Sequence, residues 1–291
     1  MTAYSLTLKN VLDDDTFAFK IDFDLNDPHQ KIIFDCYNEG RCYEPDITAV
    51  MLRAIKPGDF VIDVGANIGV FTLLMAKLVG PEGKVLAFEP DPDNFAALRR
   101  NIELNGLENV DASQVPVWCG AEEVPFYKCL DNGGGHAIWD SGLYIGNELT
   151  RAEALPPAKV LATTLEQEIA TVGRRCSFIK IDTEGTDEKI LEGLGAHRPD
   201  FIIAESNPFG ASQFGCSNDT MRKLMAGYGY DCFLITNDDD SLPAMVPDNT
   251  ILTNGFNGYC CMNLLFSTLH NVGRAYPEAP VIKIPVEEFK R

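Results

Sequence analysis

Between Phe60 and Glu205 the chain alternates short, continuous apolar runs with stretches whose apolar residues recur every three or four positions. Runs of the first kind predict buried strands and stretches of the second kind predict helices. Phe60 to Val64 reads as a strand, Val70 to Val79 as an apolar helix closed by Gly80 and Pro81, and Lys84 to Glu89 as the next strand. Asp91 and Pro92 stand where an N-cap and a first helical residue belong, Phe95, Leu98 and Ile102 share one face, and Asn105-Gly106 stops the helix. The rhythm resumes with a strand at Ser177 to Asp182, a helix around Asp187 to Leu194 and a strand at Phe201 to Glu205. A helix near Asp219 to Tyr228 and strands at Cys232 to Ile235 and Cys260 to Phe266 complete the set. Such an order predicts an α/β, Rossmann-like fold: a mostly parallel sheet, right-handed crossovers and helices on both faces.

The first 43 residues follow another period. From Tyr4 to Phe23 apolar and polar residues alternate on either side of Asp13-Asp14-Asp15, the pattern of a β-hairpin. Residues 1–43 are therefore expected to form a β-rich N-terminal extension, and residues 44–291 the main domain. Asp46 is expected to cap a helix carrying Ile47, Val50, Met51, Ala54 and Ile55 and ending at Pro57-Gly58. Residues 130–157 are glycine-rich and lack a clear period; since the fold on either side is unfinished, they read as an inserted loop or lid.

Composition narrows the function classes. Apolar residues make up 45% and charged residues 23% of the 291, as in ordinary globular proteins. No apolar run reaches the roughly 18 residues of a spanning helix, and the N-terminus has neither the basic nor the apolar segment of a signal peptide. A cytoplasmic protein is expected. Nine cysteines, an odd set without a CxxC pair, indicate neither a disulfide framework nor a zinc site. Forty-three acidic residues against 24 basic ones give a net charge of −19, which repels phosphate backbones and anionic lipids. Nucleic-acid and membrane partners are not expected; the expected partner is a small-molecule or peptide acceptor, with homodimer assembly left open.

The candidate chemistry lies in Asp63 to Gly69. A glycine-containing turn after a first strand lets a ligand approach the backbone. A dinucleotide fingerprint would need glycine where Asn67 and Val70 stand, so a pyrophosphate cradle is disfavoured, and with it a nucleotide-linked oxidoreductase. Glu89 ends the second strand about 20 residues on, where an acidic side chain reaches a ribose diol. A nucleoside without phosphates and carrying a positive charge fits this acidic setting better than a dinucleotide.

Asp63 to Gly69, Ala87 to Pro92 with Asn101 and Asn105 behind it, Ala162 to Glu166, and Ile179 to Gly185 together resemble the FkbM family of S-adenosylmethionine-dependent methyltransferases. The resemblance covers roughly residues 43–205 and departs at Glu166, where the family has Asp, and in the glycine-rich stretch from Asp131 to Gly146. It implies a seven-stranded class I methyltransferase sheet and methyl transfer to a hydroxyl of a secondary metabolite or sugar, with a peptide amide or amine nitrogen as the alternative acceptor and a non-catalytic cofactor-binding domain as a second. By position, Gly65 and Asn67 would contact the methionine moiety within the Asp63 to Gly69 turn, Glu89 the ribose, and Pro90 and Asp91 the adenine edge. Val117 and Trp118 would form the other adenine wall. Glu44 is a further candidate for the methionine end.

An acceptor hydroxyl must lose its proton, so the ends of the central strands should carry a base or a metal. Asp182 is expected to orient the cofactor or acceptor and Glu184 to act as base or acceptor-binding group. Glu205, with Asp182 and Asn207, offers oxygen ligands for Mg²⁺. Ser206 to Phe209 partly imitates the loop with which amino-methylating enzymes hold a nitrogen, and His136 is a candidate mobile base against an exposed structural histidine.

Overall fold

The computed structural model describes residues 3–7, 18–129, 132–140, 156–235, 243–247, 252, 261–277 and 282–283. The hairpin expected near the N-terminus is present as β1 (Ala3–Thr7) paired antiparallel with β2 (Ala18–Asp22); its acidic tip lies outside the described residues. The alternation did not foresee α1 (Pro28–Asn38), which follows. Its signal is the same Asp-Pro pair that opens a later helix: Asp27 accepts from the Gln30 backbone N–H, and Pro28 presets the first helical φ.

Helix α2 spans Pro45–Ala54. Pro45 holds its first position, so the expected cap Asp46 falls inside the first turn, buried, and Glu44 is the N-cap residue in a left-handed conformation with φ 43°. Then come β3 (Phe60–Val64), α3 (Val70–Val79), β4 (Lys84–Phe88), α4 (Pro92–Leu104) and β5 (Val110–Ser113). A two-stranded antiparallel sheet of β6 (Glu123–Phe126) and β7 (Ala158–Leu161) brackets the glycine-rich insertion, whose residues 141–155 lie outside the described ones. The remainder runs α5 (Leu165–Val172), β8 (Cys176–Ile181), α6 (Asp187–Glu192), β9 (Phe201–Ser206), α7 (Pro208–Ser212), α8 (Asn218–Gly227), β10 (Asp231–Leu234), β11 (Ala244–Met245), β12 (Met262–Ser267), α9 (Leu269–Ala275) and β13 (Ile282–Lys283).

Among the described residues the main sheet has nine strands in the order β13-β11-β10-β12-β9-β8-β3-β4-β5. Its β10-to-β5 portion is the expected seven-stranded arrangement, with β12 antiparallel to both neighbours, and two-residue strands β11 and β13 extend one edge. The strands bury both faces, one under α2 and α3 with Phe71, Met75 and Phe178, the other under α5, α6 and α8 with Ile179, Leu191 and Met225. Strand order reverses between β3 and β8, whose parallel partners lie on opposite sides. In such sheets the crevice beyond the carboxyl ends of those two strands is where ligands bind. No helix among the described residues is long and apolar enough to cross a membrane, and no disulfide forms among them.

Candidate active site

The turn after β3 touches the end of β8. Gly65 has φ 78°, and a Cβ there would sit 1.9 Å from the Asp182 carbonyl oxygen. Only glycine permits that approach. Two residues on, Asn67 is also left-handed, with φ 50°. Its backbone N–H donates to Glu89 Oε2 at 2.8 Å, while Glu89 Oε1 accepts from the Asp91 N–H at 2.9 Å. One carboxyl thus ties the loop after β3 to the loop after β4. Burial pushes it up to about 8 and the charges of Asp91 and Asp63 add to this, whereas the two N–H donors oppose the rise. Beside it lies a cavity of about 570 Å³ walled by Glu89, Pro90, Val115, Val117, Phe126 and Ile138. That mix of apolar walls with few polar groups is typical of small-molecule sites.

A second cavity of about 630 Å³ adjoins the first through Gly65, Asn67, Gly134, Asp182 and Glu184. Ile33, Val70 and Phe71 give it an apolar side; Glu44, Asp182, Glu184 and Glu205 line it together with Lys180. Lys180 is buried, donates to Asp182 Oδ2 at 3.0 Å and lies 5.0 Å from the centre of the Phe71 ring. Burial alone would lower its pKa, but Asp182, Asp63 and Glu44 outweigh burial and hold it charged. The carboxyls respond the other way. Burial and Asp182 raise Glu44 to about 8 and Glu184 to about 7, and lift Glu205 well above the usual range. Oε2 of Glu44 and Oε2 of Glu205 are buried without a hydrogen-bond partner among the described residues. A chamber with surplus acceptors and one fixed cation favours a ligand that brings positive charge or hydrogen-bond donors.

The loop after β8 is bent sharply, with Glu184 at φ 58° and Gly185 at φ 101°. A Cβ on Gly185 would lie 2.5 Å from Gly210 Cα, so the turn packs directly on α7. Asn207 caps that helix through the Gly210 N–H and donates from Nδ2 to Glu184 Oε2 at 3.0 Å. The segment that partly imitates a nitrogen-holding loop is thus an ordinary proline turn whose Asn207 is committed to structure. Among the described residues no three His, Cys, Asp or Glu side chains are grouped to hold a metal ion. The Mg²⁺ expectation at Asp182, Glu205 and Asn207 finds no support in the residues themselves: Lys180 is the cation paired with Asp182, and Asn207 serves Glu184 and Gly210.

Part of the insertion crosses the cofactor turn. The Gly133 carbonyl accepts from Asn67 Nδ2 at 3.1 Å and Asn94 Nδ2 at 2.8 Å, and its N–H donates to Asp27 Oδ2 at 2.9 Å. His136 is not exposed. Its ring is buried, Nδ1 accepts from the Cys129 N–H at 3.0 Å, and Nε2 faces Asp91 Oδ2 at 3.6 Å. Burial lowers its pKa against the pull of Asp91, and the ring walls the first cavity.

The model of the methyltransferase FkbM domain matches residues 63–232, more than half of the chain. The chain belongs to the FkbM methyltransferase family. Methyltransferase 1 of Beauveria bassiana is 28% identical over 193 residues, covering 60% of this chain and 69% of its own. The 31-O-demethyl-FK506 methyltransferase FkbM of Streptomyces tacrolimicus is 31% identical over 163 residues, 48% of this chain and 61% of that one. Methyltransferase sdnD of Sordaria araneosa is 43% identical over 156 residues, 46% and 60% respectively. The matches thus span about six to seven tenths of these curated relatives.

Within this FkbM-type fold, Gly65, Asn67, Glu89, Pro90 and Val117 wall the first cavity and Glu44, Asp182, Glu184 and Glu205 the second. Asp63, Gly69, Asp91 and Trp118 wall neither. Asp63 lies beneath the turn, accepting from Thr72 Oγ1 at 2.6 Å near Lys180. Gly69 opens α3, packed on Leu98. Asp91 caps α4 through the Asp93 and Asn94 N–H groups. Trp118 turns outward to Glu122 and Phe214. These four support the site from behind. Reading the sequence missed Lys180, whose place in the apolar run Phe178 to Ile181 is the mark of a buried charge, and His29 and Tyr43, which only the tertiary fold brings to the second cavity.

Proposed function

We propose that this FkbM-type methyltransferase transfers the methyl group of S-adenosylmethionine to a hydroxyl of a small neutral or cationic molecule, a secondary metabolite or a sugar. The observation that carries this is the second cavity: an acidic, half-apolar chamber adjoining the first, bearing Oε2 atoms of Glu44 and Glu205 without a partner among the described residues. The name of the Streptomyces relative supports an oxygen acceptor, since it specifies methylation of a 31-O-demethyl compound.

The residues fit the cofactor. Glu89 offers its remaining lone pairs to the ribose diol, Pro90, Val117, Phe126 and Ile138 offer apolar walls to the adenine, and the Gly65 turn admits the chain that joins nucleoside to amino acid. Glu44 and Glu205 have free acceptor atoms for its ammonium, and Lys180 supplies the counter-charge. When bound, the cofactor supplies an electrophilic methyl group on a positively charged sulfur. The protein's part is alignment and proton removal, and alignment carries most of the acceleration in such a displacement. Glu184, held by Asn207 at the junction of the cavities, binds the acceptor hydroxyl.

The test is transfer of labelled methyl from S-adenosylmethionine across a panel of hydroxylated metabolites, sugars and amines. Ether products are expected. Products labelled only on nitrogen, or no turnover of any compound despite cofactor binding, would count against the proposal.

A further inference from the structure

Three buried polar atoms of residues that line the second cavity lack a partner among the described residues: Oε2 of Glu44, Oε2 of Glu205 and Nδ1 of His29. The two carboxyls have a role in holding the cofactor's ammonium. The imidazole has none so far. His29 stands in the first turn of α1, its ring against the strap at Gly134, where a Cβ would lie 2.8 Å from Nδ1. The other ring nitrogen, Nε2, is 3.1 Å from the Tyr43 hydroxyl. That hydroxyl also hydrogen-bonds the Glu44 carboxyl. Above about pH 8, where Glu44 is ionised, its carboxylate only accepts, so the phenol proton points to Glu44 and the phenol oxygen receives a proton from His29 Nε2. This chain of two hydrogen bonds selects one tautomer and leaves Nδ1 a bare lone pair, just as an orienting partner sets the tautomer of a catalytic histidine.

We propose that His29 is the catalytic base of methyl transfer, its Nδ1 taking the proton of the acceptor hydroxyl while Tyr43 and Glu44 fix its tautomer. This rests on the oxygen acceptor proposed above. As the new oxygen–carbon bond forms, the hydroxyl proton passes to Nδ1, the carbon–sulfur bond breaks and its electron pair stays on sulfur; the imidazolium then returns the proton to solvent. The groups facing the ring suit the task. Burial lowers the His29 pKa and Lys180 lowers it further, so the ring is neutral at pH 7, while Asp182 and Asp27 favour the cation that forms on proton transfer. Glu184 is the rival base. Its Oε2 is already occupied by Asn207. Glu44, φ 43°, is held in a conformation that costs a non-glycine residue energy, as residues at functional sites often are.

The test has two arms. Nitrogen-15 NMR of the histidine-labelled full chain at pH 9, where Glu44 is ionised, is expected to show His29 with Nε2 protonated and Nδ1 bare. A protonated Nδ1 overturns the proposal whether or not an acceptor is known. With an acceptor from the panel, His29→Gln is expected to lower kcat on the order of 100-fold, with S-adenosylhomocysteine affinity and acceptor KM within about threefold. Glu184→Gln is expected to raise acceptor KM instead. The reverse pattern, with kcat lost in Glu184→Gln and kept in His29→Gln, assigns the base to Glu184 and overturns the proposal. Failure of the oxygen-acceptor reading would appear separately, as nitrogen-labelled products from a protein whose His29 has the expected tautomer.

Discussion

Gly65→Ala is expected to leave a protein that no longer binds S-adenosylhomocysteine measurably. The added Cβ would lie 1.9 Å from the Asp182 carbonyl oxygen, a backbone atom at the end of a central strand that cannot swing aside. The residue also has φ 78°, where a side chain costs about 1–2 kcal/mol before any collision. Overpacking adds roughly 1–3 kcal/mol. The loop relieves the clash by moving away from β8, and both cavities share the displaced residue. Affinity should fall on the order of 100-fold or more, the equivalent of about 3 kcal/mol. Calorimetry measures this and thermal melting the accompanying loss of stability. Near-native affinity would mean that the close approach of β3 and β8 does not shape the site.

Glu89→Ala should have the next largest effect. Its carboxyl accepts from two backbone N–H groups, those of Asn67 and Asp91, and removing it strands both donors in a buried place. Each stranded donor costs about 1–3 kcal/mol. The ribose loses its acceptor in the same stroke. A fall in S-adenosylhomocysteine affinity on the order of 100-fold is expected, together with a lower melting temperature. Stability lost without affinity would leave Glu89 as a loop staple only and remove its ribose role.

These two residues were also the most legible in the chain. Gly65 sits in a turn after an apolar run, and Glu89 ends the next run about 20 residues later, so local periodicity and spacing suffice to place both. Asp91 was legible for another reason: Asp-Pro is a helix-start signal, and it caps α4 as expected. Its assignment to the adenine edge came from the family resemblance, but a side chain that caps a helix turns back toward its own N–H groups. Trp118 shows the same limit, since period-two alternation past Val117 sends it to the other side.

Non-local pairing was illegible. Lys180 reads as an interruption of a strand until Asp182, Asp63 and Glu44 are seen around it. His29 and Tyr43 lie in the first 43 residues, which the alternation of Tyr4 to Phe23 marked as β-rich, and α1 and its loop deliver them to the second cavity. Asn67 shows how one position carries more than its local signal. In sequence it argues against a pyrophosphate cradle; in space its side chain also holds the strap at Gly133.

The central claim is that the Gly65 turn and Glu89 form a site for S-adenosylmethionine, and calorimetric titration of the full chain with S-adenosylhomocysteine, alongside NADH, tests it most directly. Saturable binding of S-adenosylhomocysteine with no heat of binding from NADH is predicted. Binding of NADH alone would contradict the account.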